Sequence, residues 1–263
     1  MKAKRNLPDI FNKVKSISNQ SAYKTSLDRF SESGEVNFYS SIKKSKVQTK
    51  RAGIIMRRFL TKKGKVLDVG CAAGRISYLL AKNGFNVKAI DFSQGMINSA
   101  KRRYKLKNLI FQKKDILDLK EKNKYDYVLA LFNLLTYFPS YEQRKKALRI
   151  MIDALKPNGL LVADVINKFG SLRILSKVLF FKFLFILSLK NRPFGDLFSN
   201  PTFSNSKEIL FQHYFSRREL ENLLSEFKDI KYEIRNFSIF TDKKSSENLL
   251  LLIRKQPSHT SEK

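Results

Sequence analysis

The chain predicts an α/β fold: a seven-stranded, mostly parallel sheet with helices on both faces and a C-terminal antiparallel hairpin. Three observations lead there. From Lys65 onward, short apolar segments ending in a polar or small residue alternate with segments of helical period. The first, KVLDVGCAAGRISYLL, turns through small residues between Gly70 and Gly74 and at once resumes an amphipathic pattern. The last two, DIKYEIRNFSIF and NLLLLIRK, are separated only by the turn-like TDKKSSEN, a spacing that suits an antiparallel pair.

Residues 1–45 are polar, rich in Lys, Ser and Asn and weakly periodic, and they read as a basic N-terminal segment or flap, with SESGEVNFYSS a loop. A helix is expected from about Val47 to Leu60, where Ile54, Ile55, Phe59 and Leu60 cluster at helical spacing. Strands follow at KVLDVG, NVKAID, LIFQKKD, YDYVLALF and GLLVADV, with helical patterns after the first, second and fourth. Ligands of such sheets sit at the carboxyl ends of the strands, so Gly70, Asp91, Asp115, Asn133 and Asp164 are expected around one crevice. The α/β domain therefore occupies 46–254, with 168–212 a lid or insertion inside it and 255–263 a disordered tail.

Within that insertion, Ser171 to Lys190 is apolar almost all round, interrupted by Arg173, Lys177 and Lys182. A membrane span needs about 20 predominantly apolar residues without such breaks. Two readings remain: a buried lid helix over a pocket, and an amphipathic helix lying in an anionic membrane surface.

Composition narrows the partners. Against 23 acidic residues stand 52 Lys and Arg, a formal net charge of +29, which attracts polyanions such as RNA or an anionic membrane but says nothing of fold. A single cysteine, Cys71, excludes an internal disulfide framework and suits a reducing compartment. The basic N-terminus has no apolar core of a secretory signal, so cytoplasmic residence, peripheral to a membrane if the apolar segment docks there, is the expectation. One cysteine and two histidines leave no zinc site.

The glycine turn carries the chemistry. A dinucleotide fingerprint needs G-x-G-x-x-G, but Ala72 and Arg75 stand where its second and third glycines belong, and no Gly-Lys-Ser/Thr follows to make a P-loop. VLDVGCAAG instead resembles the first motif of the class I S-adenosylmethionine-dependent methyltransferases, with Ala72 for the middle glycine. Four further segments match in order: VKAID with Asp91, FQKKDIL with Asp115, YDYVLALFNLLTYF, and ALKPNGLLVADV with Asn158 replacing a glycine. HYFSRRELENLLSEF resembles the helix that leads to the last two strands of that Rossmann-like fold.

The resemblance implies S-adenosylmethionine as cofactor, held by Asp68, Gly70, Cys71, Ala72, Gly74, Asp91, Phe92, Asp115, Ile116 and Leu131. Asp91 would accept from the ribose hydroxyls, and Asp115 with Ile116 would meet the adenine. Asp68 either braces the turn or contacts the methionine amino group, while Cys71 reads as a small filler and Asp164 as structural. In-line methyl transfer asks mainly for alignment and exclusion of water, so catalytic groups are few. Asn133, Tyr137, His213 and Tyr214 are the candidates to orient or deprotonate an acceptor, with His213 either general base or a solvent-exposed residue at a helix start.

The expected acceptor is a small-molecule or lipid-like metabolite, such as a lipid, a quinone precursor or a sugar, methylated on O or N under the 171–190 segment. RNA, drawn by the basic surface, is the alternative. An NAD-type oxidoreductase and a non-catalytic binding module stand further off. The oligomeric state has no signature in the sequence.

Overall fold

Five segments rich in apolar residues form parallel strands, the inner four buried on both faces and the edge strand LIFQK leaving Ile110 exposed on one. In the computed structural model, which describes residues 18–40, 42–187, 192–199, 210–237 and 247–257, these are β1 (Lys65–Val69), β2 (Asn86–Asp91), β3 (Leu109–Lys113), β4 (Tyr125–Ala130) and β5 (Leu155–Ile166). The last two sheet strands are β8 (Ile230–Phe237) and β9 (Asn248–Lys255). The order is β3-β2-β1-β4-β5-β9-β8, with β9 antiparallel to both β5 and β8. Seven strands, five of them parallel and followed by a terminal antiparallel pair, match the fold predicted from sequence. The order reverses between β1 and β4, which opens a crevice at their carboxyl ends.

Helices cover both faces. On one lie α3 (Ile42–Phe59), α4 (Arg75–Lys82) and α5 (Gln94–Arg103), whose Ile55, Leu80 and Ile97 are buried against Val66, Val87 and Leu129. On the other, α6 (Tyr141–Ala154) and α8 (Arg217–Ser225) bury Leu148, Ile152, Leu220 and Leu224 against Leu67, Leu161 and Leu251.

Three features correct the sequence reading. The stretch expected as a loop or flap is helical: α1 (Asn19–Ser31) starts at a capping box between Ser18 and Ser21, and α2 (Ser33–Ser40) follows. Their apolar period is weak because much of what they bury is polar. Arg29 is buried with Glu35, its Nε and Nη2 donating to Oε1 at 3.2 and 3.0 Å, and the Ser40 and Ser99 hydroxyls lie 2.8 Å apart.

Second, the insertion holds a two-stranded antiparallel sheet that the sequence did not announce, β6 (Asp196–Ser199) with β7 (Leu210–His213). Its four-residue strands are too short to display a period. Third, the apolar helix α7 (Leu172–Leu187) packs on that small sheet rather than over the crevice: Val178, Phe181 and Phe185 meet Leu197, Phe198 and Phe211, together with Ala22 of α1. Among the described residues no helix is long and apolar enough to cross a membrane. Residues 1–17, most of TDKKSSEN, the end of the 171–190 segment and positions 258–263 of the tail lie outside the described residues.

His213 locks the small sheet to the main domain. Its Nδ1 lies 2.6 Å from Asp196 Oδ1 and its Nε2 2.6 Å from Glu219 Oε1, and the ring is fully buried. Lys168 Nζ donates to Glu219 Oε2 at 3.0 Å. Burial alone would raise the Glu219 carboxyl, but the hydrogen bond and charge of His213 and the Lys168 ammonium outweigh it and hold the carboxyl near about 2.

Candidate active site

The crevice at the switch point is a cavity of about 1170 Å³ counted out to open solvent. Its floor is the turn after β1, where Gly70 (φ 70°) and Gly74 (φ 79°) take left-handed backbone that side chains disfavour. A Cβ on Gly70 would come 2.9 Å from Leu134 Cδ1, and one on Gly74 would stand 2.5 Å from the Phe111 ring. Gly74 therefore serves the packing of α4 on the sheet and does not line the cavity, unlike Gly70, Cys71 and Ala72.

Four amides of this turn are engaged within the protein. Gly70 and Cys71 donate to Ile90 O at 2.9 and 3.0 Å, Gly74 donates to Cys71 O at 3.0 Å, and Ala72 donates to Asp91 Oδ2 at 2.9 Å. A pyrophosphate would need such N–H groups free. Asp91 is held from both sides, since its Oδ1 accepts from Ser93 N at 2.9 Å. Each oxygen of this buried carboxylate keeps acceptor capacity for a further donor, which fits a vicinal diol.

Three carboxylates line this cavity of a strongly basic chain: Asp68, Asp91 and Asp115. Burial pushes Asp91 up to about 6, against the lowering by the Ser93 and Ala72 amides. It pushes Asp68 up to about 7 although Ser77 Oγ donates to its Oδ2 at 2.6 Å. Burial likewise raises the Cys71 thiol well above its usual range, as suits a small filler. Arg75 and Lys114 line the same cavity, so the three carboxylates are partly offset and the lining carries mixed charge.

At the far end Asp115 Oδ1 accepts from Leu117 N at 2.9 Å, and Tyr23 Oη donates to Oδ2 at 2.8 Å. Ile116, Phe92 and Leu131 complete the cofactor positions expected from sequence that line the cavity. The roof comes from α1 and α2: Tyr23, Ser26, Leu27, Phe30 and Tyr39. Phe30 sits edge-on to Tyr137 at 5.0 Å, Tyr39 at 6.1 Å and Phe92 at 6.3 Å between centroids, making an aromatic wall. Sequence reasoning missed this roof. The spacing of Tyr23, Leu27 and Phe30, one helical face over two turns, was the signal available.

The four acceptor-handling candidates separate. Tyr137 lines the cavity, its phenol pushed up to about 12 by burial. Asn133 does not; it takes left-handed backbone (φ 66°), and its Oδ1 accepts from Asn248 at 2.7 Å. Asp164 braces the same turn, accepting from Phe132 N at 2.7 Å and from Asn248 at 3.1 Å. Tyr214 is buried and does not itself line the cavity, although it stands near enough to Tyr137 to help raise that phenol. His213 is neither an exposed helix-start residue nor within the cavity, because its ring is closed between Asp196 and Glu219. None of the described residues of the 171–190 segment, 171–187, lines the cavity.

This sheet order with its terminal antiparallel pair is the Rossmann-like fold of the S-adenosylmethionine-dependent methyltransferases. Residues 66–159 match the profile of the family described as "Methyltransferase domain". Over 113 residues the chain is 35% identical to the ubiquinone biosynthesis O-methyltransferase of Coxiella burnetii, covering 41% of this chain and 47% of that protein. The chain thus spans about half the length of the curated relatives it matches. Among solved structures, a SAM-dependent methyltransferase of Methanosarcina mazei superposes with TM-score 0.61 at 19% identity, over 77% of this chain and 96% of that one. The 1,6-didemethyltoxoflavin-N1-methyltransferase of Burkholderia thailandensis, solved with its substrate and S-adenosylhomocysteine, superposes with TM-score 0.61 at 14% identity, over 92% of each chain.

Proposed function

We propose that the chain is an S-adenosylmethionine-dependent methyltransferase acting on a small or amphipathic metabolite with an apolar body. The observation that carries this reading is the Asp91 carboxylate, anchored by the Ala72 and Ser93 amides at the edge of a turn in which the Gly70, Cys71 and Gly74 amides are taken by backbone carbonyls. That arrangement suits a ribose rather than a pyrophosphate, and it disfavours the dinucleotide alternative.

When bound, S-adenosylmethionine supplies a methyl group on a positively charged sulfur, a good leaving group. Asp91 would hold the ribose hydroxyls, Asp115 and Ile116 the adenine, and the Gly70 turn with Asp68 the methionine end. The protein's remaining task is to align an acceptor and keep water out. The wall of Phe30, Tyr39, Phe92 and Tyr137 suits a flat or apolar acceptor, and neither histidine nor carboxylate stands in that wall. The acceptor atom is therefore an oxygen or nitrogen that needs no strong base, such as an acidic phenol or a neutral amine. The O-methyltransferase relative lends support to a phenolic acceptor of quinone type.

RNA as the acceptor rests on the net charge of +29 alone. The roof of α1 and α2 across the cavity favours a molecule small enough to be enclosed. The deciding experiment incubates the protein and methyl-tritiated cofactor with a panel of catechols, polyprenyl phenols and amines, and separately with total RNA. Label in the organic extract supports the metabolite reading. Label confined to the RNA precipitate, lost as salt rises, contradicts it.

A further inference from the structure

The helix α7 is amphipathic in an inverted sense: one apolar face is anchored in the protein and a second faces water. Ile174, Val178, Phe181, Leu184 and Phe185 are buried. Leu172 (86% exposed), Leu179, Phe180, Phe183 (56%), Ile186 (61%) and Leu187 are exposed. At 100° per residue these six fall within an arc of about 120°, a continuous apolar stripe along the helix. Arg173 and Lys177 border one edge of it and Lys182 the other. Lys182 Nζ donates to Arg192 O at 2.9 Å, and Arg173 lies 3.5 Å from Glu247.

We propose that this stripe docks the protein on the surface of an anionic lipid bilayer, with α7 lying in the plane of the interface. The stripe cannot be tucked away by rotation, since the opposite face of the same helix is buried in the cluster with Phe198 and Phe211. A row of large exposed apolar side chains in water marks a contact surface. Charge selects its occupant. Basic residues border the stripe on a chain of net charge +29, so anionic headgroups are attracted while a second copy of the chain is repelled. Phe and Leu then enter the boundary between headgroups and acyl chains while the basic rim meets phosphate.

The cluster beneath the stripe reaches the cavity through α1. Ala22 of α1 belongs to the cluster beneath α7, and the adjoining Tyr23 lines the cavity. One helix thus separates the docked layer from the site. The docking itself does not depend on the reaction performed there.

The test is flotation of the full chain with vesicles of equal phosphatidylcholine and phosphatidylglycerol, against vesicles of phosphatidylcholine alone. Wild type is expected to float with the anionic vesicles. The variant Phe180→Ser/Phe183→Ser/Ile186→Ser is expected to lose at least about tenfold in partitioning with its circular dichroism unchanged, since burial of one such side chain already exceeds that ratio. The chain holds no tryptophan, so Phe183→Trp places a lone reporter in the stripe, and its emission is expected to shift to the blue when anionic vesicles are added. Wild type that stays at the bottom, or a triple variant that floats as well as wild type, would overturn the proposal. So would an indole unshifted on bound vesicles, or one that shifts with protein concentration in their absence, which would mark a second copy. Should the triple variant fail to fold, the indole decides.

Discussion

The hydroxyl of Tyr23 donates to Asp115 Oδ2 at 2.8 Å, joining the first described helix to the loop after β3 across a separation of 92 positions. The same ring stacks on Phe138 at 5.6 Å and 22°. One hydrogen bond and one stacked pair thus fasten α1 over the Asp115 end of the cavity, while α2 is tied separately by the Ser40 and Ser99 hydroxyls.

Removing that bond loosens the roof without dismantling it. Tyr23→Phe keeps the stacking and is expected to raise the dissociation rate of S-adenosylhomocysteine about fivefold, the worth of one net hydrogen bond of roughly 1 kcal/mol. Stopped-flow displacement checks this. An unchanged rate would mean that the bond opens freely and the roof is held by stacking alone.

The buried carboxyl of Asp68 gives the unliganded protein an unusual pH response. Below its ordinary value of 3.8 the group is protonated both folded and unfolded, and it contributes no pH dependence. Between 3.8 and about 7 the folded protein retains a proton that the unfolded chain has released, so stability falls as pH rises through this window and levels off above it. Asp68→Asn is expected to flatten that part of the profile and to stabilise the unliganded protein at pH 8 by a few kcal/mol, since each tenfold gain in proton affinity on folding costs about 1.4 kcal/mol once the carboxyl must ionise. Urea titrations of both proteins at pH 5 and pH 8 measure it, and parallel profiles would contradict the assignment.

His213 is predicted to matter for the fold and not for the cofactor. His213→Ala removes the ring that joins buried Asp196 to Glu219, leaving Asp196 with Arg192 and Glu219 with Lys168, and a loss of about 3 kcal/mol in unfolding free energy is expected. Affinity for S-adenosylhomocysteine should stay within about twofold, because perturbations away from a site add independently. A large loss of affinity at preserved stability would return His213 to the site.

Much of the sheet was legible in the sequence because its strands are short, apolar and separated by strong turn signals: KVLDV, NVKAID and NLLLLIRK coincide with β1, β2 and β9. That Gly70, Asp91 and Asp115 would meet in one crevice was legible too, since all three stand at the carboxyl ends of parallel strands. What escaped is what depends on contacts between distant segments. The roof of α1 and α2 buries Arg29, Glu35 and Ser40, so its period is not an apolar one. His213 read as either a general base or an exposed helix-start residue, because a histidine just before a helix suggests both. Only the pairing of β7 with β6 reveals the two carboxylates that close it in. The segment 171–190 was apolar enough for a lid, yet nothing in its composition could tell which of its two faces would find a partner.

The Gly70 turn and Asp91 are the proposed cradle for a methionine nucleoside, and everything proposed for the reaction depends on it. Calorimetric titration of S-adenosylmethionine, and separately of NADH, into wild type and Asp91→Ala tests it most directly. Wild type is expected to bind S-adenosylmethionine and to ignore NADH, and Asp91→Ala to weaken the former about a hundredfold, as loss of two charge-assisted hydrogen bonds implies. Wild-type affinity should also fall as pH drops below about 6, where the unliganded Asp91 carboxyl takes up a proton. Binding of NADH in preference, or S-adenosylmethionine binding indifferent to Asp91, would contradict the account.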